Sequence, residues 1–393
     1  MRKIIACCIL IVSFLSCKKP YEPKIVAAPN SYLVVEGVIN TAVDSTVIKI
    51  SRTFKLNSKV TSSPELGATV TVEDDNHNVW PLIDLFNTGH YFTYDIALPP
   101  GQKYKLRIIT STGSQYLSDY LVDKPTPPID SIGYTVTKGI LNLYVNSHDP
   151  SNATRLYRFD YENTWRFHAK FQSSYVLDPN TNSIVPRSVF ATPYYCYASG
   201  FSSDILLAST TKLSQDVVYQ SPLAHIALSS EKLESEYAVN VKQYALTPDA
   251  FAFYENLQKN TEAVGSIFDV QPTQFQNGNI HNVINAKEPV IGYISMTNIQ
   301  TKRVFILHDA LPGNVQPIYP YDCTQDTAYF SNKQGHNDVQ EDLINPPIVY
   351  IPTSAISVNG GIIGYLFSTP ECADCTLRGN SYPPYWWQAF KQT

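Results

Sequence analysis

Gly67-Ala-Thr-Val-Thr-Val-Glu73 sets an apolar side chain at every second position, and the same period returns over Lys103–Ile109 and Arg155–Ala169. Successive strand residues point to opposite faces, so Ala68, Val70 and Val72 share one face, as do Tyr104, Leu106 and Ile108. A helix needs an apolar residue every three or four positions and cannot use this pattern. Turn residues cut the runs short, at Asp74-Asp-Asn-His-Asn78 and Pro99-Pro-Gly101. Strands are predicted over Tyr32–Ile39 (interrupted at Gly37), Ser45–Thr53, Gly67–Glu73, Val79–Ile83, Lys103–Ile109 and Tyr116–Val122. Short strands at this spacing predict a β-sandwich.

The order Ala-Thr-Val-Thr-Val-Glu-Asp-Asp, then Leu-Pro-Pro-Gly-Gln-Lys-Tyr, resembles immunoglobulin-like and carboxypeptidase-regulatory-like modules, which implies fold only. Lys124-Pro-Thr-Pro-Pro128 reads as a stiff linker, since clustered proline excludes strand pairing. The predicted plan is a sandwich over 31–123, a linker over 124–128 and a larger β-rich domain over 129–393. Within the last, Ser131–Val145 reads as two strands around Lys138-Gly139, followed by strands at Arg155–Ala169, Val217–Leu228 and Tyr237–Leu246. One helix is predicted, with Thr247 as N-cap, Pro248 at N1, Asp249 in the first turn and Phe251, Tyr254 and Leu257 at helical spacing. Val290–Met296 and Lys302–Leu307 are predicted to form a hairpin, and Ile348–Ile351 and Gly361–Phe367 to be late strands. The 27 prolines and 27 tyrosines, against two methionines, suit a sheet-rich chain with many turns.

The N-terminus predicts an address. Arg2 and Lys3 precede an uncharged run from Ile4 to Leu15, of signal-peptide length and short of the roughly 20 residues that span a bilayer. Phe14–Cys17 resembles the lipobox of bacterial lipoproteins, with Phe14 where Leu is usual. That likeness implies a signal over 1–16, acyl chains on Cys17 as the bilayer attachment, and a Pro-containing tether over 17–30. Removal of residues 1–16 would take the net charge from −5 to −7; with no basic stretch beyond Lys18-Lys19, nucleic acid is not an expected partner.

Of seven cysteines, Cys196, Cys323, Cys372 and Cys375 remain beyond the signal and Cys17. In an exported chain they predict two disulfides, in any of three connectivities. Cys372-Ala-Asp-Cys375 also has the spacing of a redox or zinc pair, but no second close pair or histidine at ligand spacing supports zinc.

Further pieces carry a family resemblance. They are Pro20-Tyr-Glu-Pro23, Tyr32-Leu-Val-Val-Glu-Gly37, Tyr195-Cys-Tyr197, Asp204-Ile205, Tyr244-Ala-Leu-Thr247 and Gly265-Ser-Ile-Phe-Asp269. They continue through Gln271-Pro272, Gly278-Asn-Ile280, Gly292-Tyr293, Lys302-Arg303, Pro370–Cys375, Arg378-Gly379 and Pro384-Tyr-Trp-Trp387. Together with Cys17 they resemble a group of Bacteroidota lipoproteins defined by domain of unknown function 4249. The resemblance implies an outer-membrane address and a TonB-dependent receptor as possible partner, and carries no activity.

No nucleophile elbow, Walker loop, dinucleotide fingerprint or His-Glu-x-x-His motif is present, so no catalytic residue and no cofactor is expected. His308-Asp309, and Asn337-Asp338 with Glu341-Asp342, lack metal-ligand spacing and read as polar loops. Asp44-Ser-Thr46, Asp130-Ser-Ile132 and Asp326-Thr-Ala328 resemble O-glycosylation tripeptides of Bacteroidota exported proteins. The aromatic clusters Tyr194, Tyr195, Tyr197 and Tyr385, Trp386, Trp387 are the candidate ligand or partner surface, although packing is the favoured reading because large aromatics dominate cores as well as interfaces. The leading expectation is a non-enzymatic outer-membrane lipoprotein assisting a receptor or assembly. A glycan or peptide binder comes next, then a hydrolase with a dispersed site.

Overall fold

The computed structural model describes residues 31–53, 63–99, 102–188, 194–262, 278–313, 317–319, 321–345 and 349–390. Residues 1–16, Cys17, the tether over 17–30 and the family pieces at 265–269 and 271–272 lie outside the described residues.

The fold is mainly β. In its first sandwich, Leu33–Asn40 pairs antiparallel with Ser45–Arg52, which pairs with His90–Tyr94. The facing sheet runs Val79–Leu82, Thr69–Asp74, Tyr104–Ile109, Gln115–Ser118 and Ile280–Asn282. The alternating residues are the core: Val70, Val72, Tyr104, Leu106 and Ile108 are at most 2% exposed. His90–Tyr94 is a strand that the sequence pattern left unread.

This sandwich is completed from far along the chain. Val290–Ile291 and Ser295–Thr297 pair parallel with Leu33–Asn40, and Ile280, Val290, Ile294 and Met296 enter the same core. The predicted hairpin of Val290–Met296 with Lys302–Leu307 therefore does not form: Gln300–Leu307 pairs with Glu236–Ala245 instead. Glycine permits the approach, since a Cβ on Gly292 (φ +141°) would sit 1.9 Å from the Val35 carbonyl oxygen.

The second sandwich packs the sheet of Ile129–Thr137, Ile140–His148 and Val217–Ala227 on a longer one. The longer sheet orders Tyr195–Phe201, Leu156–His168, Glu236–Ala245 and Gln300–Leu307, with Leu206–Ser209 also beside Leu156–His168. Lys138 and Gly139 both take positive φ, as a tight hairpin turn requires. Tyr157, Phe159, Tyr237, Val239 and Val241 are fully buried between the sheets.

The predicted helix is present as Pro248–Glu262, and the Thr247 hydroxyl accepts from the Ala250 amide at 3.3 Å. Its Ala250, Phe253 and Tyr254 pack with Val38 of the first sandwich and Tyr244 and Leu246 of the second, so the helix joins the two. Toward the C-terminus Asp326–Tyr329, Gly361–Ser368 and Ile351–Val358 form a small sheet, against which the hairpin Tyr175–Asp178 and Ser183–Pro186 rests. Val339–Ile344 is a π-helical turn whose Val339 and Leu343 are buried. Among the described residues no helix is long and apolar enough to cross a membrane, and no three His, Cys, Asp or Glu residues converge as metal ligands.

Candidate functional site

Two disulfides form, Cys196–Cys375 and Cys323–Cys372, with Cα separations of 5.7 and 5.6 Å. Cys372 and Cys375 bond to different partners rather than to each other, so their close spacing is not a redox pair. The bridges pin the C-terminal segment across the outer face of the long sheet. Tyr197 and Asn380 exchange two backbone hydrogen bonds of 2.8 Å, and a Cβ on Gly379 would meet the Tyr197 carbonyl oxygen at 2.5 Å.

That strap sorts the predicted aromatic residues. Trp387, 1% exposed, meets Tyr197 and Phe305 edge-on at 5.3 and 5.1 Å, and its Nε1 donates to Glu236 Oε2 at 3.2 Å. Trp386 lies under the Arg303 guanidinium at 3.8 Å. Tyr194 and Tyr195 group separately, with Tyr194 stacked on His168 at 4.8 Å and Arg166 over Tyr195 at 4.3 Å. The two sequence clusters thus meet in the ring contact of Tyr197 with Trp387. Trp387 is packed, whereas Tyr385 is 93% exposed.

A carboxylate–histidine–tyrosine group, unread in the sequence, sits behind Tyr194. Glu234 accepts from the His168 amide at 2.9 Å and the Tyr319 hydroxyl at 2.5 Å, and its Oε1 lies 3.2 Å from His168 Nε2. Burial and then Glu234 push the Tyr319 hydroxyl well above its ordinary range. The Glu234 side chain is only 3% exposed, so its acceptor capacity closes the fold. His308 likewise spends its Nδ1 on the Leu233 carbonyl, 2.9 Å away, and Asp338 accepts from Asn332 Nδ2 at 2.7 Å. Burial first, then Asp338 and Glu341, raise the Asp342 carboxyl above the usual range, as crowding of like charge requires.

A cleft with aromatic and charged lining lies at the seam of the two sandwiches. It encloses about 410 Å³ between Val34–Gly37, the 202–205 loop, the joining helix and Gly292-Tyr293. Arg158 is its central charge. The guanidinium is held between the rings of Tyr244 and Tyr254, at 4.3 and 4.6 Å, and Nη2 donates to Asp160 at 3.0 Å. Burial alone would lower its pKa, but Tyr254, Asp160 and Tyr244 outweigh it, so Arg158 stays charged. Phe253 and Tyr293, 5.6 Å apart, supply aromatic wall, and Glu36 at the rim pairs with Lys49 at 2.8 Å.

Pieces dispersed through the sequence, namely Val34–Gly37, Asp204-Ile205 and Gly292-Tyr293, line this one cleft. Arg158, Asp160 and Phe253 were not legible as site residues. The available signal was that Arg158 and Asp160 alternate with the buried Tyr157 and Phe159, which places two charges on the other face of a core strand.

No curated protein sequence matches the chain. Among solved structures, a candidate carbohydrate-binding protein from Bacteroides uniformis is similar at 11% identity, covering 56% of this chain and 91% of that one. Its TM-score of 0.16 is too low for fold or ligand to be carried across. The family model described as Domain of unknown function (DUF4249) matches residues 18–303, which contain the first sandwich, the joining helix, the seam cleft and the second sandwich as far as the middle of Gln300–Leu307. The chain belongs to the DUF4249 family.

Proposed function

We propose that the protein is a non-catalytic, lipid-anchored outer-membrane protein that holds a glycan in the seam cleft on behalf of a TonB-dependent receptor. The observation that carries this reading is the lining of the cleft. Aromatic side chains of Phe253, Tyr254 and Tyr293 stand beside the polar groups of Glu36, Arg158, Asp160 and Asp204. Rings offer flat apolar surface to sugar C–H groups, and carboxylates and guanidinium exchange hydrogen bonds with hydroxyls. The volume lies within the range of small-molecule sites, and a junction between domains is where such sites concentrate. The lipid on Cys17 would supply the confinement: a tether of about a dozen residues reaches at most ~40 Å, close enough for a weak contact with a membrane receptor to be well occupied.

The test is calorimetric titration of the purified mature protein with a panel of neutral oligosaccharides, alongside photo-crosslinking in intact cells from a reactive residue at Ser203. Binding of at least one oligosaccharide, weakened about ten-fold by Tyr293→Ala, and a crosslink to an outer-membrane receptor are the expected results. Products of glycan cleavage would overturn the non-catalytic reading. Binding indifferent to Tyr293→Ala and Arg158→Met would remove the site, as would binding of extended peptides and of no sugar.

A further inference from the structure

A second cleft opens into the interior of the second sandwich, and its chemistry differs from that of the seam. It encloses about 600 Å³ between Tyr161 and Asn163 on the long sheet, Pro222–Ile226 on the facing sheet, and Lys232 on the turn Glu231–Leu233. Backbone irregularity accounts for the opening. Val217–Ala227 slips register against Ile140–His148 between Val218 and Ser221, and again between Pro222 and Ala224. Bulges bend a strand and interrupt its ladder, and Pro222 has no amide hydrogen to donate.

Lys232 is the group that the fold leaves unmatched. Its ammonium lies 5.0 Å from the centre of the Trp165 ring. Among the described residues no carboxylate forms an ion pair with it, and burial alone lowers its pKa with no opposing charge to offset this. Asp204 also lines the cleft but acts on Tyr161, whose hydroxyl is raised by burial and then by that carboxylate. One further polar atom of the lining, Asn163 Oδ1 on a residue 3% exposed, has no hydrogen-bond partner among the described residues. A cation withdrawn from water without a counter-ion costs free energy that an entering anion recovers.

We propose that this cleft is a binding site for the anionic group of a small ligand, a carboxylate or a phosphate, with Lys232 as its counter-ion. Asn163 Oδ1 offers an acceptor to a polar group beside that anion. The two clefts share the Asp204-Ile205 loop, but their cations, Lys232 and Arg158, are different, so each reading has its own test.

The test is competitive acylation of lysines on the full-length mature protein, read by peptide mass spectrometry, with D-glucuronate, inorganic phosphate, D-glucose and sodium chloride as probes. Lys212, which is exposed, is the internal reference. Glucuronate or phosphate should slow labelling of Lys232 saturably, by about ten-fold relative to Lys212, while glucose and chloride at equal ionic strength should not. Protection by glucuronate alone assigns a carboxylate ligand, and by phosphate alone a phosphate ligand. The same anion should change tryptophan emission, and this change should vanish in Trp165→Phe. Lys232→Met should abolish the emission change and Lys232→Arg should retain it, which separates loss of the charge from loss of the fold. Equal protection by chloride or glucose, protection by neither anion, or an emission change surviving Lys232→Met would overturn the proposal.

Discussion

Removing the Cys196–Cys375 bridge should release the C-terminal strap and cost the second sandwich several kcal/mol. The bridge joins residues separated by 179 positions, for which chain-entropy arithmetic gives about 5 kcal/mol at 25 °C. Cys323–Cys372, at a separation of 49, gives about 4 kcal/mol by the same arithmetic. The dependence is logarithmic, so the presence of one bridge changes the contribution of the other only slightly. Native bridges typically deliver about 2–5 kcal/mol, so a loss of about 3–5 kcal/mol is expected for Cys196→Ala/Cys375→Ala. Both cysteines are fully buried, and part of that loss is packing. Reduction of a Cys323→Ala/Cys372→Ala variant, which retains Cys196–Cys375, isolates that cross-link from the packing. The assay is guanidinium unfolding followed by tryptophan emission in a Trp80→Phe background, because Trp165, Trp386 and Trp387 all lie on the second sandwich. Release of the strap should also red-shift emission before the main transition, as the buried Trp387 meets water. A loss below about 1 kcal/mol on reduction would refute the entropic argument. Alkylation of Cys372 or Cys375 in the unreduced protein would refute the pairing itself.

Gly292→Ala should cost at least about 3 kcal/mol or prevent folding, because its Cβ would overlap the Val35 carbonyl oxygen at 1.9 Å; wild-type thermal stability in that variant would contradict the parallel pairing. Arg158→Met should cost about 2–4 kcal/mol, since it strips Asp160 of its partner and Tyr244 and Tyr254 of their cation; a change under about 0.5 kcal/mol in chemical denaturation would mean that the seam does not depend on that charge. The pKa of Asp149 is lowered: burial alone would raise it, but the Ser151 hydroxyl and the Thr154 and Ser151 amides outweigh burial. Its folded pKa lies below its unfolded one, so its contribution is complete above about pH 4 and is lost as the pH falls through the folded value; Asp149→Asn should flatten stability over that acid window, and an unchanged acid profile would exclude the assignment. Cys17→Ala should move the protein from the membrane fraction to the soluble fraction, and persistence at the membrane would locate the attachment elsewhere.

The sequence by itself determined what is local. A period of two at Val70 and Val72, or at Tyr104, Leu106 and Ile108, states which side chains turn inward, because strand geometry alternates faces whatever the strand pairs with. The hairpin at Lys138-Gly139 and the helix cap at Thr247 were legible for the same reason, since turn and cap are set by residues within four positions of each other. Four cysteines beyond the predicted signal foretold two bridges, and they did not foretell which sulfur meets which. Tertiary structure decided the rest. Val290–Met296 and Lys302–Leu307 both have strand composition and lie close in sequence, yet their partners are Leu33–Asn40 and Glu236–Ala245. A parallel partner must come from a distant segment, and period cannot name it. The two clefts follow the same rule. Arg158 and Lys232 acquire their surroundings from segments up to a hundred or more positions away, once two sandwiches and a helix compete to bury their apolar faces. That burial is a property of the whole core, and no window of the sequence contains it.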